Sequence, residues 1–252
     1  MDEKKQPYGT VLIKASLILD FLANCNEPQP LNAIARETGL TNSTALKILE
    51  TLLQIGYVKK DRDKKFSIGT SLIHYSHKAI NDLEIKDIAQ PYLEELQQIS
   101  GETVHLGIQD KDNVIYITKI ESTKAVCTYS TIGKNLPMYC SSMGKSILAA
   151  RSDEYLAGYL QRNPLHPFTR NTITREQDFR REIAKVREQG YAIDNCEHEE
   201  EVICIGTALT KGGKIHGAIS IGIPEYRATA PVRQEIIAAV LQCKQKTLQH
   251  LE

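Results

Sequence analysis

Residues 144–146 read Gly-Lys-Ser, the second half of a phosphate-binding loop, which raises the question of a nucleotide site. Such a loop wraps its backbone amides around the phosphates and needs a glycine five positions earlier, where this chain has Tyr139. The segment therefore does not predict a nucleotide site. Ser141, Ser142 and Gly144 lead instead into a predicted helix, and the free amides of a helix N-terminus suit a small anion such as a carboxylate.

A second group of residues could hold a metal ion. Asp194, Cys196 and His198 would share one face of a strand, and Cys204 follows them. Carboxylate, thiolate and imidazole groups all bind zinc. The six cysteines include no CxxC pair, however, and none of the usual spacings of a structural zinc site occurs. We therefore expect no metal, and we interpret His198 as a solvated residue of the acidic run EHEEE.

Cys140 and Cys204 are candidate nucleophiles of a thiol enzyme. A catalytic thiol needs an adjacent base and an electropositive setting, and the sequence demonstrates no such arrangement. We expect both to be buried small side chains that line a pocket, with no catalytic residue and no cofactor in the chain. A metabolic enzyme or metal-binding protein that uses the Cys, His and Asp residues is the competing interpretation.

Composition excludes several classes of partner. The 252-residue chain is 41% hydrophobic, enough for a buried core, and its 31 basic residues balance its 31 acidic ones. No overall charge therefore indicates nucleic acid or a membrane, and any such partner must be recognised by a local patch. No apolar run approaches the length of a membrane span, and the first ten residues are polar. These features predict a cytoplasmic protein without membrane contact.

The N-terminal part of the chain has the pattern of three short helices followed by a hairpin. Apolar residues recur at helical spacing over residues 11–22 and again from residue 31. Gly39 is expected to end the second helix in a left-handed conformation, and Thr41 is the expected N-cap of the third. Residues 57–68 predict two short strands around a charged turn. This layout is that of a winged helix-turn-helix, whose third helix enters the major groove of DNA.

The surface of this unit has the charges that DNA binding needs. The outward stripe of the third helix carries Ser43, Lys47, Glu50 and Gln54, with short polar residues at the end that approaches base edges. The wing, Lys59–Lys65, has five basic and two acidic residues, a local charge of +3. A packing or oligomerisation module with a solvated turn is the alternative interpretation of the same pattern.

The remainder of the chain predicts a second domain of mixed structure. Residues 70–100 are helical, with a break near Asn81–Asp82 and without a core-sized apolar cluster of their own, as in a connecting helix followed by the first helix of a new domain. Strands and helices follow, and Gly212–Gly213 predicts a hairpin. The expected strands are Thr103–Gln109, Val114–Ile120, Ala125–Ser130, Tyr191–Ile193, Val202–Thr210 and Ile215–Ile223, and the expected helices are Ser142–Ala150, Ser152–Gln161, Thr174–Gln189 and Ala230–Leu251.

Residues 31–58, LNAIARETGLTNSTALKILETLLQIGYV, resemble the helix-turn-helix of the IclR family of bacterial transcription regulators. The shared pattern has a Gly-Leu turn, a Ser-Thr pair, a basic residue at Lys47, a Leu-Leu pair and a closing Gly-Tyr-Val. Asn42 and Lys47 stand where the family usually has basic residues, arginine in particular, and a lysine lacks the bidentate fork of arginine, so base readout is expected to be weaker or different. The resemblance implies DNA contacts by Arg36, Thr41, Asn42, Ser43, Thr44, Lys47, Lys64 and Lys65.

Two further segments, GKNLPMYCSSMGKSILAA and GYAIDNCEHEEEVICIGTAL with the later AISIGIP, are similar to the signatures of the IclR effector domain. They imply a GAF-like domain, an antiparallel sheet with flanking helices, and thus an α+β protein. They also imply a small organic acid held at Ser142–Met143. Gly222 stands where the family often has a serine, so it removes one hydroxyl and opens room for a larger or differently hydroxylated ligand. The implied effector residues are Thr128, Leu136, Ser141, Ser142, Met143, Gly144, Asp194, Cys204, Ser220 and Gly222.

The runs ETVHLG, LPMYCSSMGK and TRNTIT resemble most the KdgR-type branch of the family, which senses sugar acids. The resemblance implies a DNA-binding transcriptional regulator, a repressor of a catabolic operon, controlled by an acid such as 2-keto-3-deoxygluconate. Its partners would be double-stranded operator DNA, the effector and further copies of the chain, as a homodimer or a dimer of dimers. We expect a DNA-binding domain over residues 1–69, a linker helix over 70–83 and an effector domain over 84–252.

Overall fold

Two compact units, Met1–Asp82 and Leu83–Glu252, make up the computed structural model, which describes residues 8–126 and 130–251. The first unit contains helices α1 (Thr10–Ala23), α2 (Leu31–Glu37) and α3 (Asn42–Gln54), the antiparallel strands β1 (Val58–Lys60) and β2 (Phe66–Ile68), and helix α4 (Ser71–Asn81). Ile18, Ile34, Leu49 and Phe66 are buried at its centre, so each of the first three helices and the hairpin contribute to one core.

The turn between α2 and α3 forms as its residue types predict. Gly39 has a φ of 67°, a left-handed conformation that glycine adopts without steric cost. Thr41 caps α3, because its hydroxyl oxygen accepts the backbone amide of Thr44 at 3.2 Å. These two residues fix the direction of α3 relative to α2 and confirm the predicted helix-turn-helix geometry.

The second unit is built on a six-stranded antiparallel sheet with the order β5-β4-β3-β8-β7-β6. Its strands are β3 (Thr103–Asp110), β4 (Asn113–Ile120), β5 (Asn135–Pro137), β6 (Ala192–Asn195), β7 (Val202–Lys211) and β8 (Lys214–Pro224). Its helices are α5 (Glu84–Ser100), α6 (Ser142–Ala149), α7 (Asp153–Arg162), α8 (Glu176–Gln189) and α9 (Ala230–His250), with short 3-10 turns at Met138–Cys140 and Glu225–Arg227.

The sheet separates two hydrophobic clusters. On one face, side chains such as Ile205 and Ile221 pack with Leu93 of α5 and Val240 of α9. On the other face, Met143 and Ile147 of α6 pack with Phe179 of α8. Because successive strand residues point to opposite faces, the residues that alternate with Ile205 and Ile221 point toward α6 and can line a site beneath it.

α5 buries Ile85, Ala89, Leu93 and Leu96 in the core that it shares with the sheet and α9. Two expectations for this unit are corrected by the structure. β5 has no counterpart among the expected strands, because its three residues are too few to show alternation and it ends at Pro137, which only an edge strand tolerates. The expected strand Ala125–Ser130 is absent at residues 125, 126 and 130, while residues 127–129 lie outside the described part of the chain. No helix formed by the described residues is long and apolar enough to cross a membrane.

Candidate functional site

Helix α3 of the first unit presents a polar face to solvent. Ala45, Ile48, Leu49 and Leu52 are buried in the core, whereas Ser43, Lys47, Glu50 and Gln54 lie on the opposite stripe, as the helical period predicts. Thr41 and Asn42 are at the N-terminal end of the helix. Thr44 is half-buried, and its hydroxyl accepts a hydrogen bond from the Thr41 hydroxyl at 2.9 Å. Thr41 and Thr44 therefore build the cap, and Asn42, Ser43 and Lys47 form the polar face beside it.

The hairpin adds a cluster of exposed cations. Lys64 and Lys65 are exposed at its turn, and the Asp61 carboxylate accepts the backbone amide of Lys65 at 2.9 Å, which closes that turn. Lys64 has a φ of 61°, an uncommon conformation for a residue with a side chain. Arg36 lies on α2 and contacts only the adjacent Glu37 among the ion pairs of the described residues. An exposed pair of that kind contributes at most about 1 kcal/mol, so it does not hold Arg36 in place.

A cavity lies between the N-terminus of α6 and the sheet of the second unit. Its empty volume, including the part open to solvent, is about 480 Å³. Seven of the ten expected effector residues line it: Leu136, Ser141, Ser142, Met143, Asp194, Cys204 and Ser220. The other residues of the lining were not among the expected effector residues, and for His105 the sequence left open whether it is exposed or lines a pocket: they are His105, Tyr116, Ser130, Lys134, His198, Glu199 and Val202.

The first turn of α6 forms one wall of this cavity. Ser141 caps the helix: its hydroxyl donates to the carbonyl oxygen of Pro137 at 2.9 Å and accepts the amide of Gly144 at 3.2 Å. The amide of Lys145 donates to the carbonyl oxygen of Ser141 at 2.9 Å. Among the residues that the structure describes, no partner is found for the amides of Ser142 and Met143, which therefore remain at the positive end of the helix dipole, where an anionic group is stabilised.

Two expected effector residues are absent from the described lining of the cavity, and a third lies outside the described residues. Gly144 allows close packing instead, because a Cβ on it would lie 2.2 Å from the Cα atom of Met138. Gly222 is paired with Cys204 and Thr103 inside the sheet and is absent from the described lining. Thr128 lies outside the described residues.

Asp194 lies in strand β6 and lines the cavity. Its Oδ1 atom accepts the backbone amides of Glu197 at 2.7 Å and His198 at 3.4 Å, which closes a tight turn. Burial raises the pKa of Asp194 to about 7, and the neighbouring Glu197 carboxylate acts in the same direction. The carboxyl group therefore changes charge near neutral pH and can donate or accept a hydrogen bond there.

The remaining wall contains a neutral histidine. His105 pairs with Ser220 across β3 and β8, its Nε2 atom lies 2.6 Å from the Ser130 hydroxyl, and its ring stacks on Tyr116 with centroids 4.3 Å apart. Burial, together with the charges of Lys119 and Lys134, lowers the pKa of His105 to about 3. His105 was difficult to predict because it alternates with Val104 and Leu106, a pattern that identifies a strand and leaves the environment of its polar face undetermined.

The residues that suggested metal or thiol chemistry are not arranged for either. Within the part of the chain that the structure describes, no group of three or more His, Cys, Asp and Glu residues could hold a metal ion. β6 ends at Asn195 and Cys196 has a φ of 57°, so the alternation that would align Asp194, Cys196 and His198 is broken. Burial raises the pKa values of the Cys140 and Cys204 thiols above the ordinary value of a cysteine, so neither is a thiolate at neutral pH.

The expectation that His198 is solvated is wrong. Its side chain is 15% exposed and lines the cavity, because the turn closed by Asp194 brings it back toward α6. Glu199 beside it accepts a hydrogen bond from Lys134 Nζ at 2.6 Å. In the acidic run, only the later residues Glu200 and Glu201 are exposed.

The raised pKa of Asp194 predicts a pH-dependent stability of the second unit. An unfolded aspartate has a pKa of about 3.9, so the folded state holds a proton between that value and about 7 that the unfolded state has lost. This contribution is complete below the unfolded pKa and is lost as pH rises through the folded pKa. We expect the free energy of unfolding of the wild type to fall relative to Asp194→Asn from about pH 4 to about pH 7, by at most about 1.4 kcal/mol per pH unit, and to level off above that range. Urea unfolding of both proteins across this range measures it, and parallel pH profiles would contradict the assignment.

The first unit is a helix-turn-helix with a polar face on its third helix and a basic hairpin. The second unit of the same chain contains a polar cavity. This combination is that of a DNA-binding transcriptional regulator. Residues 11–62 match the IclR helix-turn-helix domain, and residues 77–248 match the bacterial transcriptional regulator IclR C-terminal domain. The chain belongs to the IclR family. Members of this family are transcriptional regulators and not enzymes, so the competing interpretation as a metabolic enzyme is wrong.

Individual relatives agree with this assignment along nearly the whole chain. The DNA-binding transcriptional repressor YiaJ of Escherichia coli (strain K12) is 32% identical over 237 residues, which are 92% of this chain and 83% of that protein. The HTH-type transcriptional regulator KdgR of the same organism is 30% identical over 240 residues, 94% of this chain and 91% of that protein. The crystal structure of the Thermotoga maritima IclR is 30% identical, with a TM-score of 0.71 over 96% of this chain and 98% of that chain. The predicted family and α+β fold are confirmed.

Proposed function

We propose that the protein is a repressor of a catabolic operon that is released from its operator by a small organic acid of the sugar-acid class, such as 2-keto-3-deoxygluconate. The observation that carries the effector part is the cavity beside the N-terminus of α6, which Ser142 and Met143 line together with the polar residues His105, Asp194 and Ser220. Repression is supported by the relative YiaJ, which is described as a repressor. The likeness to KdgR supports the choice of sugar acids for the first test.

The chemistry of the lining fits an acid with several hydroxyl groups. The carboxylate of the effector would lie at the helix N-terminus, where backbone amides and the helix dipole stabilise negative charge. Ser220, His105 and Asp194 are then placed to exchange hydrogen bonds with hydroxyl groups, while Leu136 and Tyr116 contact the carbon chain. A second carboxylate at that end of the ligand would meet Glu199, whose charge Lys134 balances, and Asp194, which becomes ionised near neutral pH. The remaining negative charge of Asp194 favours a monocarboxylic polyhydroxy acid over a dicarboxylic acid.

The operator part rests on α3 and the hairpin. Asn42, Ser43 and Lys47 would read base edges in the major groove, Thr41 and Thr44 would orient the helix, and Arg36, Lys64 and Lys65 would contact phosphates. We propose a DNA-binding domain over residues 1–69, a linker helix over 70–83 and an effector domain over 84–252. A homodimer or a dimer of dimers would then bind a roughly palindromic operator with half-sites about one helical turn apart, or a multiple of that distance.

The experiment is a fluorescence anisotropy titration with labelled DNA from upstream of the protein's own gene in the presence of competitor DNA. The complex is then titrated with 2-keto-3-deoxygluconate, D-gluconate, a dicarboxylic sugar acid and 4-hydroxybenzoate. We expect saturable binding that a monocarboxylic sugar acid reverses. Stable DNA binding that no acid changes, with no heat of binding in calorimetry, would contradict the effector assignment. If 4-hydroxybenzoate were the only acid that releases the protein from DNA, the effector would be an aromatic acid and not a sugar acid. The chain has no tryptophan, so indole fluorescence cannot replace these measurements.

Asp194→Ala is expected to separate the two activities. Because Asp194 lies in the cavity of the second unit, its removal should leave operator affinity without effector within about twofold and raise the half-saturating concentration of the active acid by about tenfold or more, the cost of removing a buried hydrogen bond. Asp153→Ala removes an exposed aspartate of α7 outside the cavity and serves as the control. An unchanged effector titration in Asp194→Ala would remove this residue from the site.

A further inference from the structure

Lys145, the lysine of the Gly-Lys-Ser segment, points away from solvent and into the protein. Its side chain is 0% exposed. Its Nζ atom donates to the carbonyl oxygen of Ile193 and to Glu197 Oε1, both at 2.5 Å, and to Glu182 Oε1 at 3.2 Å. The ammonium group therefore joins α6 to β6, to the turn after it, and to α8.

The partners of Lys145 also hold the cavity wall that contains Asp194. Ile193 directly precedes Asp194, and Glu197 donates its backbone amide to Asp194 Oδ1 at 2.7 Å. Glu197 Oε1, the atom that accepts from Lys145, also lies 3.3 Å from the backbone amide of Asn195. A continuous set of hydrogen bonds thus runs from the first turns of α6 to the turn over residues 194–198, in which Asp194 and His198 line the cavity.

The charges favour this arrangement. Burial by itself would lower the pKa of Lys145, but the carboxylates of Glu197 and Glu182 outweigh burial and raise it above its ordinary value, so the ammonium group stays charged. Glu197 is buried as well, with its Oε2 atom lacking a hydrogen-bond partner among the described residues. Without the ammonium group, a buried carboxylate would have no counterion, and the turn would rearrange to reach water or a proton.

We propose that Lys145 is the positioning residue of the effector cavity: by holding the turn over residues 194–198 against α6, it fixes the distance between the helix N-terminus and Asp194 and so determines which acids fit. Lys145 does not contact the effector in this proposal. The claim that Lys145 determines which acids fit rests on the proposed function, whereas the claim that Lys145 holds the turn over residues 194–198 does not. The alternative is a purely structural ion pair, which would add stability to the whole unit without a particular effect on the turn.

Hydrogen exchange tests the positioning role without any ligand. In Lys145→Met we expect the amides of Asn195, Glu197 and His198 to exchange about tenfold faster or more, with the amides in the centre of β7 and β8 unchanged within about twofold, because local opening affects only the residues it releases. The double variant Lys145→Met/Glu197→Gln leaves residue 197 uncharged, so it should fold even where the single variant does not, and we expect the same local pattern. Lys246→Met is the control, because Lys246 forms a 2.6 Å pair with Glu95 outside the cavity of the same unit.

Effector titration then tests the consequence. With operator complex and 2-keto-3-deoxygluconate as the probe, the double variant should need about tenfold more acid for release, or lose its preference among the acids of the panel, while Lys246→Met behaves as the wild type. Uniformly faster exchange across the sheet, or no change at the turn, would overturn the positioning role. A wild type that responds to no acid would contradict the proposed function, and the exchange result would still decide the role of Lys145.

Discussion

Replacing Lys47, Lys64 and Lys65 together by alanine is expected to weaken operator binding by about 10²–10³-fold near 0.1 M salt. One of these lysines lies on the polar face of α3, and the other two are exposed at the hairpin turn. A lysine that neutralises one phosphate releases a counterion, and the slope of log K against log salt becomes shallower by about 0.9 for each phosphate that is no longer neutralised. Lys64 and Lys65 are the proposed phosphate contacts among the three, so the triple variant should have a salt dependence shallower by about 1.8, and the loss of the Lys47 base contact should weaken the affinity further.

The salt dependence distinguishes direct contacts from a change of net charge. Anisotropy titrations at several salt concentrations give the slope for the wild type and the triple variant. The matched control is Lys111→Ala/Lys185→Ala/Lys214→Ala, which removes the same charge from exposed positions of the second unit. We expect the control to keep the slope of the wild type. If the two triple variants change the slope equally, or if the first leaves it unchanged, the assignment of α3 and the hairpin to DNA is wrong.

The DNA-reading unit was predictable because its determinants are local. The apolar stripe of α3, the left-handed Gly39 and the Thr41 cap each act over a few residues, and each forms as expected. The stripe opposite the core then identifies the outward residues without knowledge of any other element. The side-chain contacts of Thr44 were less predictable, because a threonine in the first turn of a helix can either take part in the helix cap or contact DNA.

The cavity could be predicted only in part, because it forms where distant segments meet. The capped start of α6 has a sequence signal, and seven expected residues line the cavity. His105 shows only a strand pattern, and His198 stands in a charged run that normally indicates solvent exposure. The position of His198 depends on the turn closed by Asp194 and on the left-handed backbone of Cys196, which break the strand alternation. Lys145 has no sequence signal for burial, because its partners lie 37 to 52 residues away.

Gly144→Ala is expected to destabilise the second unit by about 3 kcal/mol or more, the upper part of the range for overpacking. A Cβ on Gly144 would lie 2.2 Å from the Cα atom and 2.4 Å from the carbonyl oxygen of Met138, and both are backbone atoms that no rotamer change can move. The first turn of α6 would have to shift away from the 3-10 turn at Met138–Cys140. Unfolding in urea, followed by circular dichroism and compared with the wild type, measures the change.

Gly158→Ala is the matched control, because Gly158 is also a helical glycine of the second unit. The atom nearest to its Cβ would be Arg162 Nη1 at 3.2 Å, the end of a flexible side chain, so the substitution should gain the helix propensity of alanine, about 0.5–1 kcal/mol. The two substitutions therefore have opposite expected signs although they add the same methyl group. A Gly144→Ala protein as stable as the wild type would mean that α6 does not approach Met138 closely. The amides of Ser142 and Met143 would then not be fixed where the proposed carboxylate site requires them.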